Sequence, residues 1–261
     1  MRTIEAVIFD WAGTTVDYGS AAPVAAFAEA FRAYGIVPTV EEVRKPMGIA
    51  KIDHVRQMLR MERIGTQWKQ IYGREFDESD VQEIYRLSEK KILELLKDYG
   101  DPKPFVVDTV QQLRSRNIKI GSTTGYNDAM MAIVAPVAAQ KGYAPDVCVT
   151  PDSTDHIGRP YPYMIFRNMM ELQIRSVDSV IKVGDTLSDI VEGKNAGVIA
   201  VGILEGSSIL GYSQEEYEGL ASSQQTRAKE RAAELFRSSG ADYVLDNMSG
   251  LMELIRQIEG R

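Results

Sequence analysis

Ala6-Val7-Ile8-Phe9-Asp10-Trp11-Ala12-Gly13-Thr14-Thr15-Val16-Asp17 is the stretch whose reading decides the fold. Its four leading apolar residues have the length and β-branched content of a strand buried on both faces. Asp10 ends that strand, and a turn of small and hydroxyl-bearing residues follows it. Ligands of a parallel sheet gather at the carboxyl ends of the strands, so Asp10 lies where chemistry is expected. The turn is of a kind that can aim backbone N–H groups at an anion.

Similar short runs recur at Ile118–Gly121, Val147–Val149, Val180–Val183, Val198–Val201 and Tyr243–Leu245. Between them apolar residues fall at helical spacing, as in Val106, Val110 and Leu113, then Met130, Ile133, Val134 and Val137, then Ile165, Met169 and Leu172. Strands alternating with helices predict an α/β fold, a doubly wound, Rossmann-like parallel sheet with right-handed crossovers. The segment 20–100 breaks the rhythm. It contains no convincing strand, reads as several helices including a long charged one over Ser79–Lys97, and ends at Gly100-Asp101-Pro102. The expected organisation is therefore a core of 1–19 and 101–261 with an α-helical cap of 20–100 inserted after the first strand. Gly206–Ser223 reads as a loop near the site that leads into a polar helix.

With 261 residues, 44% hydrophobic and 26% charged, the chain has ample material for a sizeable core. A formal charge of -7 argues against a general binder of nucleic acid or anionic membrane, because both need a dense field of Lys and Arg. A small anionic substrate stays open, since a pocket can be basic on an acidic protein. The single cysteine, Cys148, excludes an intrachain disulfide, and its apolar neighbours predict a buried structural thiol. The N-terminus shows no signal-peptide pattern and no run approaches a membrane span, so a cytoplasmic location is the default expectation.

A second acidic cluster follows the fourth run: Lys182-Val183-Gly184-Asp185-Thr186-Leu187-Ser188-Asp189. Four residues apart, Asp185 and Asp189 share one side of a strand-to-helix turn. Either motif alone is readable as a turn residue or a helix cap. Together they bring three carboxylates to one place, which is repulsive unless a hard cation compensates them, and an all-oxygen donor set suits Mg2+.

These features resemble the haloacid dehalogenase superfamily, and the likeness runs through the core: Asp10–Thr15, Ser122-Thr123-Thr124-Gly125, Gly158-Arg159-Pro160-Tyr161-Pro162 in place of the usual lysine-bearing loop, and Gly184–Asp189. The resemblance implies that Asp10 is the nucleophile and forms an aspartyl-phosphate, that Thr124 and Arg159 hold phosphoryl oxygens, and that the metal positions are Asp10, Ala12, Asp185 and Asp189, the last in a supporting role. A hydroxyl donor and a guanidinium are suited to spreading the charge of phosphoryl transfer.

Phosphomonoesterases of the superfamily carry a second aspartate two residues after the nucleophile, where it protonates the leaving alkoxide; here that position is Ala12. Loss of a general acid typically costs about a hundredfold or more, so the leaving group must be activated in another way. Arg44-Lys45-Pro46-Met47-Gly48-Ile49-Ala50-Lys51-Ile52-Asp53-His54 resembles the cap segment of the phosphonoacetaldehyde hydrolase family, in which the lysine condenses with the substrate aldehyde. A carbon leaving group departing from phosphorus is a poor carbanion, but a protonated imine beside it accepts the electrons as an enamine.

Lys51 must then be unprotonated to attack, which calls for desolvation or a nearby positive charge. His54, three positions on, is expected on the same helix face as a proton shuttle. The resemblance places Met47 and Tyr126 near the imine and implies a homodimer formed through the caps. His156 reads as a loop residue with no metal-ligand partner. The expected activity is hydrolysis of a phosphonoacetaldehyde-type carbon–phosphorus bond. The alternatives are a phosphomonoesterase or phosphomutase using the same Asp10, and a phospho-accepting signalling domain, which has no use for so long a helical insertion.

Overall fold

The computed structural model describes residues 3–260. After β1 (Ala6–Phe9) the chain forms five consecutive helices: α1 (Ala21–Ala33), α2 (Val40–Arg44), α3 (Lys51–Leu59), α4 (Glu62–Tyr72) and α5 (Glu78–Leu95). Strand and helix then alternate through α6 (Val106–Ser115), β2 (Lys119–Thr123), α7 (Asp128–Gln140), β3 (Val147–Val149), α8 (Tyr163–Glu171), β4 (Val180–Gly184), α9 (Leu187–Ala196) and β5 (Ile199–Ile203). The remainder is α10 (Gln214–Glu218), α11 (Ser222–Ser238), β6 (Tyr243–Leu245) and α12 (Leu251–Glu259).

The six strands form one parallel sheet in the order β3-β2-β1-β4-β5-β6. The order reverses direction at β1, which creates the crevice where ligands of open α/β sheets bind. Phe9 stands opposite Ser122 of β2 and Val183 of β4. Asp10, one residue further, is thereby level with the ends of both neighbours. Period-two alternation sends Val7 and Phe9 into the larger core and Ala6 and Ile8 into a second layer with Ile165, Met169 and Val180.

The outgoing and returning connections of the helical segment run side by side: Val16 bridges Pro102, and the Lys103 amide donates to the Thr15 carbonyl (2.8 Å). Asp17 has a left-handed backbone (φ 51°), and its carboxylate accepts from the Ala21 and Ala22 amides (2.8 and 3.2 Å), satisfying the exposed donors at the start of α1. α5 carries its own capping box, Asp77 with Asp80, which explains its sharp start after a charged loop.

Two expectations differ from the structure. Cys148 is exposed, because β3 is the edge strand of the sheet and one of its sides lacks a neighbour. The segment 206–223 is not all loop, since Ser213 and Glu216 form a capping box that nucleates the short α10. Among the described residues no helix is long and apolar enough to cross a membrane.

Ile8, fully buried in the central strand, tests the sheet core. Ile8→Ala is expected to lose about 2–5 kcal/mol in urea denaturation, whereas Met170→Ala, at a side chain 73% exposed, should change stability by less than about 0.5 kcal/mol.

Candidate active site

The turn after β1 is wound round its own backbone. The Thr14, Thr15 and Val16 amides all donate to the Trp11 carbonyl, so these three are not the anion-binding donors that the sequence suggested. Trp11 anchors the turn from below: its indole donates to Ser122 Oγ (3.0 Å) and packs edge-on against Tyr143. Lys103, buried, clamps the turn from the other side by donating to the Gly13 carbonyl and to that of Glu205 (2.7 Å). Asp10 is held between these anchors with its carboxylate 5% exposed.

Asp185 and Asp189 arrive from the end of β4 and the first turn of α9, and the ligand atoms of Asp10, Asp185 and Asp189 all lie within 4.8 Å of one another. The cap of α9 is Thr186, in a capping box with Asp189, so Asp185 is not used as a helix cap. Asp185 instead accepts from Thr14 Oγ1 (3.2 Å), the Ser208 amide (2.8 Å) and Ser208 Oγ. Gly13 is required here, with φ +86° and a backbone so close that a Cβ would collide with the Asp185 carboxylate.

Two cations serve this cluster. Arg159 donates through Nη2 to Asp10 Oδ1 (2.8 Å), through Nη1 to Asp189 Oδ1 (3.0 Å) and the Gly48 carbonyl (3.0 Å), and through Nε to Glu192 Oε2 (2.9 Å). Lys182, fully buried in the middle of β4, pairs with Asp189 Oδ1 (2.8 Å). Burial pushes the Asp189 pKa up, but Arg159 and Lys182 outweigh it and hold the carboxyl below the ordinary range.

Asp10 and Asp185 behave oppositely. Burial first, then the neighbouring carboxylates, raise both, Asp185 to about 7. Four buried carboxylates, Asp10, Asp185, Asp189 and Glu192, thus converge on two directly paired cations, with the buried Lys51 and Lys103 acting on Asp10 and Asp185 at longer range. The oxygen-only donor set of Asp10 and Asp185 fits a hard cation such as Mg2+, and Asp189 is already paired and stands behind them.

Above Asp10 is a small, narrow cavity, lined by Asp10, Ala12, Thr124 and Tyr126 from the core side and by Met47, Gly48 and Lys51 from the helical segment. Lys51, the first residue of α3, is buried, and its amine sits 5.0 Å from the Tyr126 ring centroid, with no ion pair among the described residues. Burial lowers its pKa to about 8, with Asp10 opposing the shift and Arg159 assisting it. The Tyr126 hydroxyl is buried without a hydrogen-bond partner among the described residues, in a side chain that lines the cavity.

Of the residues singled out from sequence, Asp10, Ala12, Met47, Lys51, Thr124 and Tyr126 share this cavity. Arg159 does not line it. Its donors are taken up by protein acceptors, so the role seen directly is to orient Asp10. His54 is on the same helix as Lys51, but its ring is fully buried and stacked 4.0 Å from Phe27. Burial, then the Lys51 charge, drives its pKa far down, so the imidazole is neutral. His156 is exposed and its ring pairs with Asp152. Sequence reasoning missed Lys182 and Glu192. A lysine inside an apolar strand flanked by helices was the available signal, since a charge placed there must be paired.

A family model described as haloacid dehalogenase-like hydrolase matches residues 4–197. The chain is similar to the phosphonoacetaldehyde hydrolase of Lysinibacillus sphaericus (strain C3-41), with 51% identity over 255 residues, 98% of this chain and 95% of that protein. It is 47% identical over 256 residues to the phosphonoacetaldehyde hydrolase of Bacillus cereus (strain AH820), covering 98% of this chain and 97% of that protein. Among solved structures, a phosphonoacetaldehyde hydrolase-like protein from Oleispira antarctica matches with a TM-score of 0.95 and 36% identity, over 99% of this chain and 93% of that one.

The buried ionic cluster makes a stability prediction. Lys182→Met leaves Asp189 and Glu192 with Arg159 alone, and the uncompensated charge should cost about 3–5 kcal/mol in chemical denaturation. A loss below about 1 kcal/mol would show that Lys182 does not balance them.

Proposed function

The chain belongs to the haloacid dehalogenase-like hydrolases and, within them, to the phosphonoacetaldehyde hydrolase family, and from that membership we propose that it hydrolyses the carbon–phosphorus bond of phosphonoacetaldehyde to acetaldehyde and phosphate. The observation that carries the reading is the meeting in one small cavity of Asp10 and Lys51, a buried amine whose pKa is lowered to about 8, with an alanine at position 12.

In the proposed sequence the Lys51 amine condenses with the aldehyde and releases water. The resulting iminium stands beside the carbon–phosphorus bond. Asp10 attacks phosphorus, the bond breaks, and its electron pair moves into the iminium to leave an enamine. Protonation at carbon and hydrolysis free acetaldehyde and regenerate the amine, while water attacks the aspartyl-phosphate to release phosphate. Asp10 is supported as nucleophile by its place at the end of β1 and by the Arg159 contact that fixes its free rotation. Thr124, at the cavity wall, is a hydroxyl donor for a phosphoryl oxygen, and Arg159 can serve a second one by yielding the share it gives Asp10.

Mg2+ held by Asp10, Asp185 and the Ala12 position, with Asp189 behind, supplies neutralisation of nucleophile and phosphoryl charge when bound. Residues 20–100 act as a cap that excludes water from the imine, with Met47 and Tyr126 packing beside it. Tyr126 lends its ring face to the Lys51 ammonium. His54 in this reading keeps the amine environment apolar and uncharged; its neutral ring is available for proton transfer only if it leaves Phe27. A homodimer joined through the caps, in a cytoplasmic setting, completes the proposal.

A phosphomonoesterase using the same Asp10 is the competing reading, and Lys51→Arg separates the two. Phosphonoacetaldehyde turnover should fall at least about a thousandfold, because a guanidinium stays protonated and cannot form the imine. Turnover within tenfold of the parent would discard the imine. A second test is pH: because the free amine is the reactive form, the initial rate of imine formation should rise about tenfold per pH unit below 8 and level off above it. A rate independent of pH from 6 to 9 would contradict the assignment.

A further inference from the structure

α2 ends at Arg44, whose guanidinium crosses from the helical segment to the loop after β5. Nη1 donates to the Gly19 carbonyl (2.7 Å) and the Ser208 carbonyl (3.2 Å), and Nη2 to the Gly211 carbonyl (3.1 Å). No carboxylate pairs with it among the described residues, and its Nε is buried without a partner. Burying a cation among neutral carbonyls is costly, so surface charge pairing does not explain it. The backbone is shaped around the side chain: Gly211 has φ +74°, and a Cβ there would approach Arg44 Nε to 3.1 Å. The ring closes through the Gly19 amide, which donates to the Gly206 carbonyl (2.8 Å).

Ser208 is the link to the chemistry. Arg44 holds its carbonyl, while its amide (2.8 Å) and hydroxyl hold Asp185 Oδ2. One residue therefore separates a cation of the helical segment from the carboxylate that the preceding reading gives to the metal. If the segment lifts away, the Ser208 carbonyl loses its donor and the peptide that orients Asp185 is free to turn.

We propose that Arg44 is a positioning residue that couples seating of the cap to the divalent-cation site, acting through Ser208 on Asp185. The proposal rests on the reading of Asp10 and Asp185 as metal ligands. By reciprocity, cation binding then favours the seated cap by the same factor that seating favours the cation.

The test is calorimetric titration of MgCl2 into the full-length chain and into Arg44→Met, Ser208→Ala and the double variant, in the absence of substrate. Each single substitution is expected to weaken Mg2+ binding about tenfold. The double variant should be no weaker than the poorer single one, because both break the same chain of contacts. Arg44→Lys, a point donor that cannot span three carbonyls, should fall between parent and Arg44→Met. Should the methionine variant melt below the assay temperature, Arg44→Gln reads the same cycle with donors kept and the buried charge removed. Parent-like affinity in the Arg44 variants, or losses that multiply in the double variant, would overturn the coupling. Absence of Mg2+ binding by the parent chain would instead overturn the metal reading beneath it.

Discussion

Charge balance in a buried place governs this molecule. Asp10, Asp185, Asp189 and Glu192 converge at the carboxyl ends of β1 and β4 and in α9, where water cannot screen them. Arg159 and Lys182 settle Asp189 and Glu192, and Arg159 also pairs with Asp10, yet burial and the neighbouring carboxylates keep both Asp10 and Asp185 raised. Trp11 on Ser122, Lys103 on Gly13 and Ser208 on Asp185 are the contacts that hold the underbalanced pair in place.

The fold makes this possible by topology. With β1 between β2 and β4, the three strand ends present Asp10, Thr124 and Asp185 to one crevice. The helical segment leaves and returns at that crevice through paired backbone at Val16 and Pro102, so Lys51 is delivered from above without disturbing the sheet. Gly48 and Gly125 mark how close the two halves come. A Cβ on Gly48 would collide with the Thr186 side chain, and one on Gly125 would lie 2.5 Å from the Ile49 carbonyl. Such contact excludes bulk water from the cavity, which is what lowers the Lys51 pKa.

Much of this was legible in the residues. The strand at Ala6–Phe9, the helical stretch after it and the acid cluster after Val183 are local patterns, and local patterns report burial period and turn chemistry directly. Asp10, Ala12, Met47, Lys51, Thr124 and Tyr126, each picked out from local motifs, line one cavity. What failed depends on three-dimensional neighbours. Cys148 lies in an apolar run, yet strand order makes that run an edge. The hydroxyls and small residues after Asp10 suggested an anion nest, yet the amides of three of them turn to Trp11. His54 has the right spacing to Lys51, but spacing does not disclose that Phe27 covers its ring. Arg44 gives no sequence signal, because its partners are backbone carbonyls that any residue carries.

Central to the proposed chemistry is an iminium formed on the Lys51 amine, which takes up the electron pair of the breaking carbon–phosphorus bond. Borohydride reduction of the wild-type chain in the presence of phosphonoacetaldehyde, followed by peptide mapping, tests it most directly. The account predicts a reduced two-carbon adduct confined to the peptide containing Lys51, with loss of activity in proportion to labelling. Full turnover with no adduct, or an adduct on another lysine that tracks inactivation, would contradict it.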